Sequence, residues 1–416
     1  MEFKIKYGKT YMEFQLDEKN YLGEILPNNI ISKLTGIDEV KRALENPLGA
    51  KRLRDVVKKG EKIVIVTSDI TRPMPSRIVL PPVLAELEQA GVETGDIVIV
   101  FALGSHRKHT EEEQKYLVGE EIWQKIRCID SETNDCIRLG VCQNGTPVDI
   151  FSEVAKADRR ICLGNTEYHY FAGYSGGLKA IMPGVSSREA IEANHRNMVT
   201  SRAVAGNLDD NPVRNDIDEV ANFLSIDYLV NVILDDDKKV IKAFAGHCIE
   251  AHRASCRFLD SMYKISVRQK ADIVITSPGG FPKDINLYQA QKAMDNAKHI
   301  VKDGGIIIFV AACKEGYGEK VFEEWIMKYD TPQERVEKIR EHFQLGGHKA
   351  AAMALVQQKA DIFLVSDLED AKVIKVNMLP YKSVQEAIDK ALKKCGPDAE
   401  VYLMPSGGST LPVIEQ

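Results

Sequence analysis

The stretch Gly164–His195, GNTEYHYFAGYSGGLKAIMPGVSSREAIEANH, decides how the rest of the chain reads. It gathers His169, Lys179 and His195 around a Gly-Tyr-Ser-Gly-Gly turn. The run Arg160–Gly164 that leads into it, RICLG, predicts a buried strand. Gly173, Gly176 and Gly177 have no Cβ, so their backbone N–H groups are expected to approach a phosphate or a flat cofactor ring. Lys179 stands two residues after Gly177, beside that approach. Pro183-Gly184 turns the chain, and Ser186 or Ser187 is placed to cap a helix through SREAIEANH that carries His195.

Working upstream, two further apolar, β-branched runs end in unusual polar sequence. KIVIVTSD leads into Asp69-Ile70-Thr71-Arg72-Pro73, and DIVIVFALGS leads into Gly104-Ser105-His106-Arg107. Helical periodicity separates them in SRIVLPPVLAELEQAGV, and Thr110 with Glu113 makes a capping box for TEEEQKYLVG. Strand, helix, strand, helix with buried strands predicts a parallel sheet covered on both faces. In open α/β sheets, ligands bind beyond the carboxyl ends of the strands. Three such ends converge on one crevice and place Asp69, Arg72, His106 and His169 near one another, with Lys179 and His195 close by.

Working downstream, SIDYLVNVILD and KVIKAFAGH continue the sheet, and AHRASCRFLDSMYKISV reads as a helix ending a domain. From ADIVITSPGG the strand-and-helix pattern restarts and runs through GGIIIFVAA, ADIFLVSD and AEVYLMPSGG. NLYQAQK opens a helix on which Tyr288 and Lys292 share a face, with Gln289 beside them. The expected fold is therefore α/β: two Rossmann-like α/β domains, residues 1–268 and 269–416, the second closing over an active site in the cleft between them. The tail after about residue 404 is placed to return to the first domain.

The chain has 416 residues, 44% hydrophobic and 28% charged, which is enough for two cores. A net charge of −6, with no basic arm and no nucleic-acid-binding motif, excludes a nucleic-acid partner. No apolar run approaches the length of a membrane span and the N-terminus lacks a signal peptide, so the expected location is cytoplasmic. Eight cysteines without a CxxC pair fit reduced thiols.

Each candidate has an ordinary alternative. Asp69 can cap the turn before Pro73, Arg72 can sit in a surface ion pair, His109 is expected to be solvated, and His169 can be a core histidine. His195 can be a helix-face residue and Lys292 an exposed one. Tyr170, Phe171 and Tyr174 are either walls of a pocket or core aromatics. Together, though, the strand ends make a site: two histidines can act as acid and base on opposite faces of a ligand, and arginine and lysine suit a carboxylate. His195 alone, with no partner at ligand spacing, makes a poor zinc site. There is no nucleophile elbow, phosphate-loop or dinucleotide fingerprint. Composition and spacing stop at an α/β enzyme acting on a small anionic substrate. A metal-dependent hydrolase built on His106, His109 and His169, and a catalytically silent nucleotide sensor, are the readings from other classes.

The motifs DITRP, GSHRKHT, EYHYFAGYSGGLKAIMPG, ANHRN, NPVR, NLYQAQK and GGHKA, in this order, resemble the lactate racemase family over essentially the whole chain. The resemblance implies a racemase or epimerase of 2-hydroxy acids, lactate first, with longer hydroxy acids and sugar acids as alternatives. It implies nickel and a cofactor, pyridinium-3-thioamide-5-thiocarboxylic acid mononucleotide (the nickel-pincer nucleotide), covalently bound at Lys179, and cofactor-synthesis enzymes to load it. His195 matches the nickel ligand, and His106 and His169 match the catalytic pair. Asp69, Arg72, Gln289 and Lys292 match substrate-site residues. Tyr288, Thr71, Gly176 and Gly177 are the remaining cofactor neighbours. The implied chemistry is a hydride shuttle through a planar 2-keto acid.

Overall fold

Apolar runs of β-branched residues form strands because their stiff side chains pack well on a pleated surface, and the three that precede the polar loops do so here. In a computed structural model, which describes residues 1–235 and 237–415, Ile63–Ser68, Ile97–Ala102 and Arg159–Asn165 lie in one six-stranded sheet. Its order is Val240–Gly246, Tyr228–Leu234, Arg159–Asn165, Ile63–Ser68, Ile97–Ala102, Arg127–Asp130. All neighbours are parallel except the first pair. Ser68 is level with Ala102 and Val66 with Cys162, so the loops carrying Asp69, His106 and His169 leave the same edge. Ile65, Ile99, Ile161 and Val230 carry one face of this sheet into a core with Val79, Leu80, Val83 and Leu87 of the helix Ser76–Gln89. Thr110 and Glu113 make the expected capping box, and Ser187 caps the helix Arg188–His195.

The chain divides into two units, residues 30–260 and residues 1–29 with 261–416. The second unit holds an all-parallel sheet ordered Leu379–Tyr381, Asp361–Val365, Val301–Val310, Ala271–Thr276, Val401–Met404, Tyr21–Glu24. Its last strand comes from the N-terminus of the chain. The hairpin Glu2–Tyr7/Thr10–Gln15 also packs here, with Ile5 and Phe14 against Ile275, Ile308 and Val401. The single boundary near residue 268 is corrected accordingly: the first 29 residues group with the C-terminal unit. The cause is a strand pairing across almost the full chain, which local pattern does not record. The helix expected through residue 267 ends at Tyr263, and Lys264–Val267 is a strand. The tail strand Leu411–Ile414 pairs with it, inside the C-terminal unit rather than back in the first. Among the described residues no helix is long and apolar enough to cross a membrane, and all eight cysteines are free thiols.

Candidate active site

Asp69 follows the central strand directly and is 2% exposed. Its carboxylate accepts from Thr71 Oγ1 at 2.9 Å and faces His106 Nδ1 at 2.8 Å. A carboxylate only accepts, so His106 carries a proton on Nδ1, and in the neutral ring the lone pair is on Nε2. Burial pushes the Asp69 carboxyl up, but the His106 hydrogen bond and charge, with Thr71 and Arg72, outweigh it and hold the group below the usual carboxylate range. Asp69 therefore does more than cap a turn. Arg72 is exposed, and although its charge is felt at Asp69, no described carboxylate lies within ion-pair distance of its guanidinium.

His109 corrects the expectation of a solvated ring. Its side chain is 1% exposed, Nδ1 lies 2.6 Å from Asp130, and Nε2 accepts the Ile70 N–H at 3.0 Å. It pins the Asp69 loop to the neighbouring strand end. With both nitrogens engaged it cannot ligate a metal, which removes the hydrolase reading.

His169 and His195 meet across an aromatic ring. His169 heads the short hairpin Tyr168–His169/Gly173–Tyr174. Phe171, at its tip, packs edge-on to His169 at 4.5 Å and to His195 at 5.0 Å between ring centres. The Ala172 N–H donates to His169 Nδ1 at 3.2 Å, so the neutral ring carries its proton on Nε2. Burial, then Lys179 and His195 whenever they are protonated and the Arg72 and Arg214 guanidiniums throughout, hold His169 well below the ordinary histidine range. Tyr170 stacks on His169 at 5.3 Å. Tyr174 is a core residue that, with Tyr168, donates to Asp260 at 2.6 and 2.8 Å.

Lys179 lies on the turn Gly177–Ala180. Burial and the nearby Arg214 and Arg72 charges hold its amine well below the usual lysine range, and no described carboxylate pairs with it. The glycines before it act differently from expectation. A Cβ on Gly177 (φ +62°) would lie 2.7 Å from the His252 ring, and one on Gly176 (φ +73°) 2.5 Å from Asn231 Nδ2. The Gly177 N–H already donates to Asn231 Oδ1 at 3.3 Å. The missing side chains thus make room for the protein's own Asn231 and His252, and the Gly177 amide is taken. The turn is joined to the His106 loop: the Gly184 N–H donates to the Lys179 carbonyl and the Gly104 N–H to the Gly184 carbonyl, at 3.2 and 2.9 Å.

Residues that motif reading left without a role complete the site. Arg214, in NPVR, is fully buried and donates to the carbonyls of Ala172, at 3.1 Å, and Tyr174. It fixes the hairpin that carries His169 and places a charge beneath His169 and Lys179. Asn231 bonds Thr166 Oγ1 at 2.9 Å under the glycine turn. Their only sequence signal is a polar residue inside an apolar strand or helix face.

In the other unit, Tyr288, Gln289 and Lys292 stand at the start of the helix Leu287–Ala297, capped by Asn286. Lys349, of the GGHKA motif, donates to the Tyr288 carbonyl at 2.7 Å and lies over its ring. Cys142, Asp216 and Glu219 could by spacing hold a metal, but Asp216 is saturated by Asn144, Thr146 and Asn194, and Glu219 accepts the Gln143 N–H.

A family model described as the lactate racemase N-terminal domain matches residues 7–206, and one described as the lactate racemase C-terminal domain matches residues 266–412. The lactate racemase of Thermoanaerobacterium thermosaccharolyticum is 34% identical over 421 residues, 98% of each chain. That of Lactiplantibacillus plantarum is 32% identical over 415 residues, 97% of each. The solved structure of the T. thermosaccharolyticum lactate racemase apoprotein covers 100% of both chains with a TM-score of 0.89 and 34% identity. A Thermotoga maritima protein of 18% identity aligns over 92% of this chain and 100% of its own with a TM-score of 0.65, a likeness of fold alone.

Proposed function

We propose, from the premise that this chain belongs to the lactate racemase family and is an isomerase, that it inverts the Cα of a 2-hydroxy acid, lactate first, using a nickel-pincer nucleotide carried on Lys179. The observation that carries the reading is the half-buried Lys179 on the glycine turn, which meets no described carboxylate and whose amine is held below the usual lysine range by desolvation and by the Arg214 and Arg72 charges. An uncharged amine is a nucleophile, and desolvation is how lysine is made one. The residues present fit the group. Lys179 would hold it through its amine nitrogen, and His195 would ligate nickel through Nε2, a borderline donor suited to a sulfur-rich set. When bound, the cofactor supplies an acceptor for the Cα hydride, the hard step that no side chain performs.

The chain's own residues manage the proton and the carboxylate. His106 Nε2 takes the hydroxyl proton on one face, and Asp69 stabilises the imidazolium that forms, as in a carboxylate–histidine dyad. His169 serves the other face: with Nδ1 accepting the Ala172 N–H it offers Nε2–H as a hydrogen-bond donor to the substrate oxygen, and it takes the hydroxyl proton of the opposite enantiomer at Nε2 in the tautomer protonated at Nδ1, with the Ala172 contact released. Arg72 forks the substrate carboxylate, with Gln289 and Lys292 as further substrate contacts. Thr71, Tyr288 and Gly176 are cofactor neighbours, and Gly177 contributes shape.

The test is to make the chain beside cofactor-synthesis enzymes and read intact mass, nickel content and racemisation across a panel of 2-hydroxy acids. Expected are an adduct on Lys179 that is absent from Lys179→Ala, and loss of optical purity from L-lactate. Ligand binding without any change at Cα would favour the sensor. Faster turnover of a longer hydroxy acid or sugar acid would move the substrate away from lactate.

A further inference from the structure

We propose that Asn194, anchored by Asp216, is the positioning residue that fixes the tautomer of His195 and so leaves Nε2 as its metal-ligating nitrogen. The inference rests on the reading of His195 as the nickel ligand.

Asn194 precedes His195 on the helix Arg188–His195 and is 0% exposed. Its Nδ2 donates to the Val213 carbonyl at 3.0 Å and to Asp216 Oδ2 at 3.3 Å. Both partners only accept, so turning the amide over would set its oxygen against a carbonyl and a carboxylate. The amide is locked, and its Oδ1 faces His195 Nδ1 at 3.0 Å. An amide oxygen pairs only with a donor. His195 Nδ1 therefore carries the proton and Nε2 the lone pair. Phe171, packed at 71° to the imidazole, restricts its plane.

Asp216 is built to hold this amide. It lies on the helix Pro212–Glu219, is itself 0% exposed, and accepts from Asn144 Nδ2 at 2.9 Å and from Thr146 Oγ1. Neutral donors alone meet its charge: no described cation pairs with it. A buried carboxylate without a cation is costly to the fold. One amide away from an imidazole it raises the electron density that the ring gives to a metal, the usual service of an outer-shell carboxylate.

The full chain is tested in two states. In cofactor-free protein with 15N-labelled histidine, long-range proton–nitrogen spectra should show His195 protonated at Nδ1. In protein loaded by co-expression, Asn194→Ala should keep the Lys179 adduct by mass yet lose nickel to a chelator about 10–100-fold more readily, the range for loss of an outer-shell partner. Asn194→Asp keeps an acceptor toward Nδ1 and should retain nickel close to the unsubstituted level. It should do so with a melting temperature lower than that of Asn194→Ala, because two carboxyls then meet. A proton on Nε2, unchanged nickel retention in Asn194→Ala, or nickel loss that tracks melting temperature across both variants would overturn the proposal. If the unsubstituted chain takes up neither adduct nor nickel, the reading of the site fails, and the nitrogen spectrum of the unloaded chain still decides the tautomer.

Discussion

Acidification from pH 7 to pH 5.5 should weaken the 30–260 unit more than the other, because its buried histidines refuse protons that the unfolded chain accepts. His252 is 1% exposed and lies between Ser175 and Arg253: one ring nitrogen faces the Ser175 carbonyl at 3.0 Å, and the other faces the Arg253 guanidinium at 2.7 Å. Burial, then Arg214 and Arg253, hold it well below the ordinary histidine range, and His169 is held low in the same way. In the other unit burial, with Lys298 and Lys359, pushes His299 down to about 3. A folded pKa below the unfolded one means stability that is present above the unfolded value and is lost as pH falls through it. With an unfolded pKa near 6.5, each histidine that stays neutral in the fold removes about 1.3 kcal/mol over this interval. The 30–260 unit should lose about 2.5 kcal/mol and the other about half that, against a typical total of about 5–15 kcal/mol. His169 is the less enclosed of the first pair, so its share is the smaller. Carboxylates with ordinary pKa values stay ionised down to about pH 5.5 and leave the comparison to the histidines.

The chain carries its own reporters for this measurement. It has two tryptophans, Trp123 in one unit and Trp325 in the other. Trp325→Phe and Trp123→Phe each leave a single tryptophan, and urea unfolding at the two pH values, excited at a wavelength selective for tryptophan, then gives each unit its own midpoint and slope. His252→Gln, which keeps a donor and an acceptor, should reduce the acid loss of the Trp123-reported unit by about half. Identical midpoints at both pH values, or a larger loss in the Trp325-reported unit, would refute the assignment of His169 and His252 as neutral buried groups.

Three further outcomes follow from the site. Lys179→Met should abolish the adduct and turnover while leaving the urea midpoint unchanged or higher, since an unpaired desolvated amine gives way to an apolar chain of similar size; a loss above about 1 kcal/mol would give the lysine a structural role. Arg72→Lys should raise KM for the 2-hydroxy acid about tenfold with a smaller change in kcat, because a point charge replaces a two-pronged donor; unchanged kinetics would remove Arg72 from the substrate. Asp69→Asn should lower kcat/KM about 10²–10⁴-fold, by disturbing the His106 tautomer or removing the charge that stabilises its imidazolium. That loss must be equal for the two enantiomers, whose equilibrium constant is one, and chiral chromatography in both directions checks it.

What the sequence made legible is local. Three apolar β-branched runs ending in Asp69, His106 and His169 declare themselves as strands whose ends carry chemistry, and a parallel sheet puts those ends on one edge. Ser187 and Thr110 declare their caps for the same reason, since cap and helix are adjacent in the chain. What stayed hidden depends on partners far away. Tyr21–Glu24 joins the sheet edge at Val401–Met404, and nothing in its own residues names that partner. His109 sits in a basic loop and looks solvated, yet Asp130 and the Ile70 amide enclose it. The glycines show the limit most clearly. A missing Cβ says that something comes close, and only the fold says whether it is a ligand or, as at Gly176 and Gly177, Asn231 and His252.

The same distinction bears on how the lysine is tuned. Nothing within its turn would depress the Lys179 amine: its neighbours in sequence are Leu178, Ala180 and glycine. The depression comes from enclosure and from two guanidiniums, Arg214 and Arg72, brought in by different elements. Arg214 is itself enclosed, tied to the carbonyls of Ala172 and Tyr174 and only 3.6 Å from its nearest carboxylate, Asp218, which Arg253 shares. A cation so incompletely neutralised is a costly thing to bury. Its charge acts against protonation of His169, Lys179 and His252 alike, so one guanidinium biases three groups of the site toward their neutral forms. On the proposed reading, an amine that forms a covalent bond and an imidazole that exchanges a proton both need that bias near neutral pH, which is the argument for giving NPVR an electrostatic part in the site beyond the cap that Asn211 makes on the helix Pro212–Glu219.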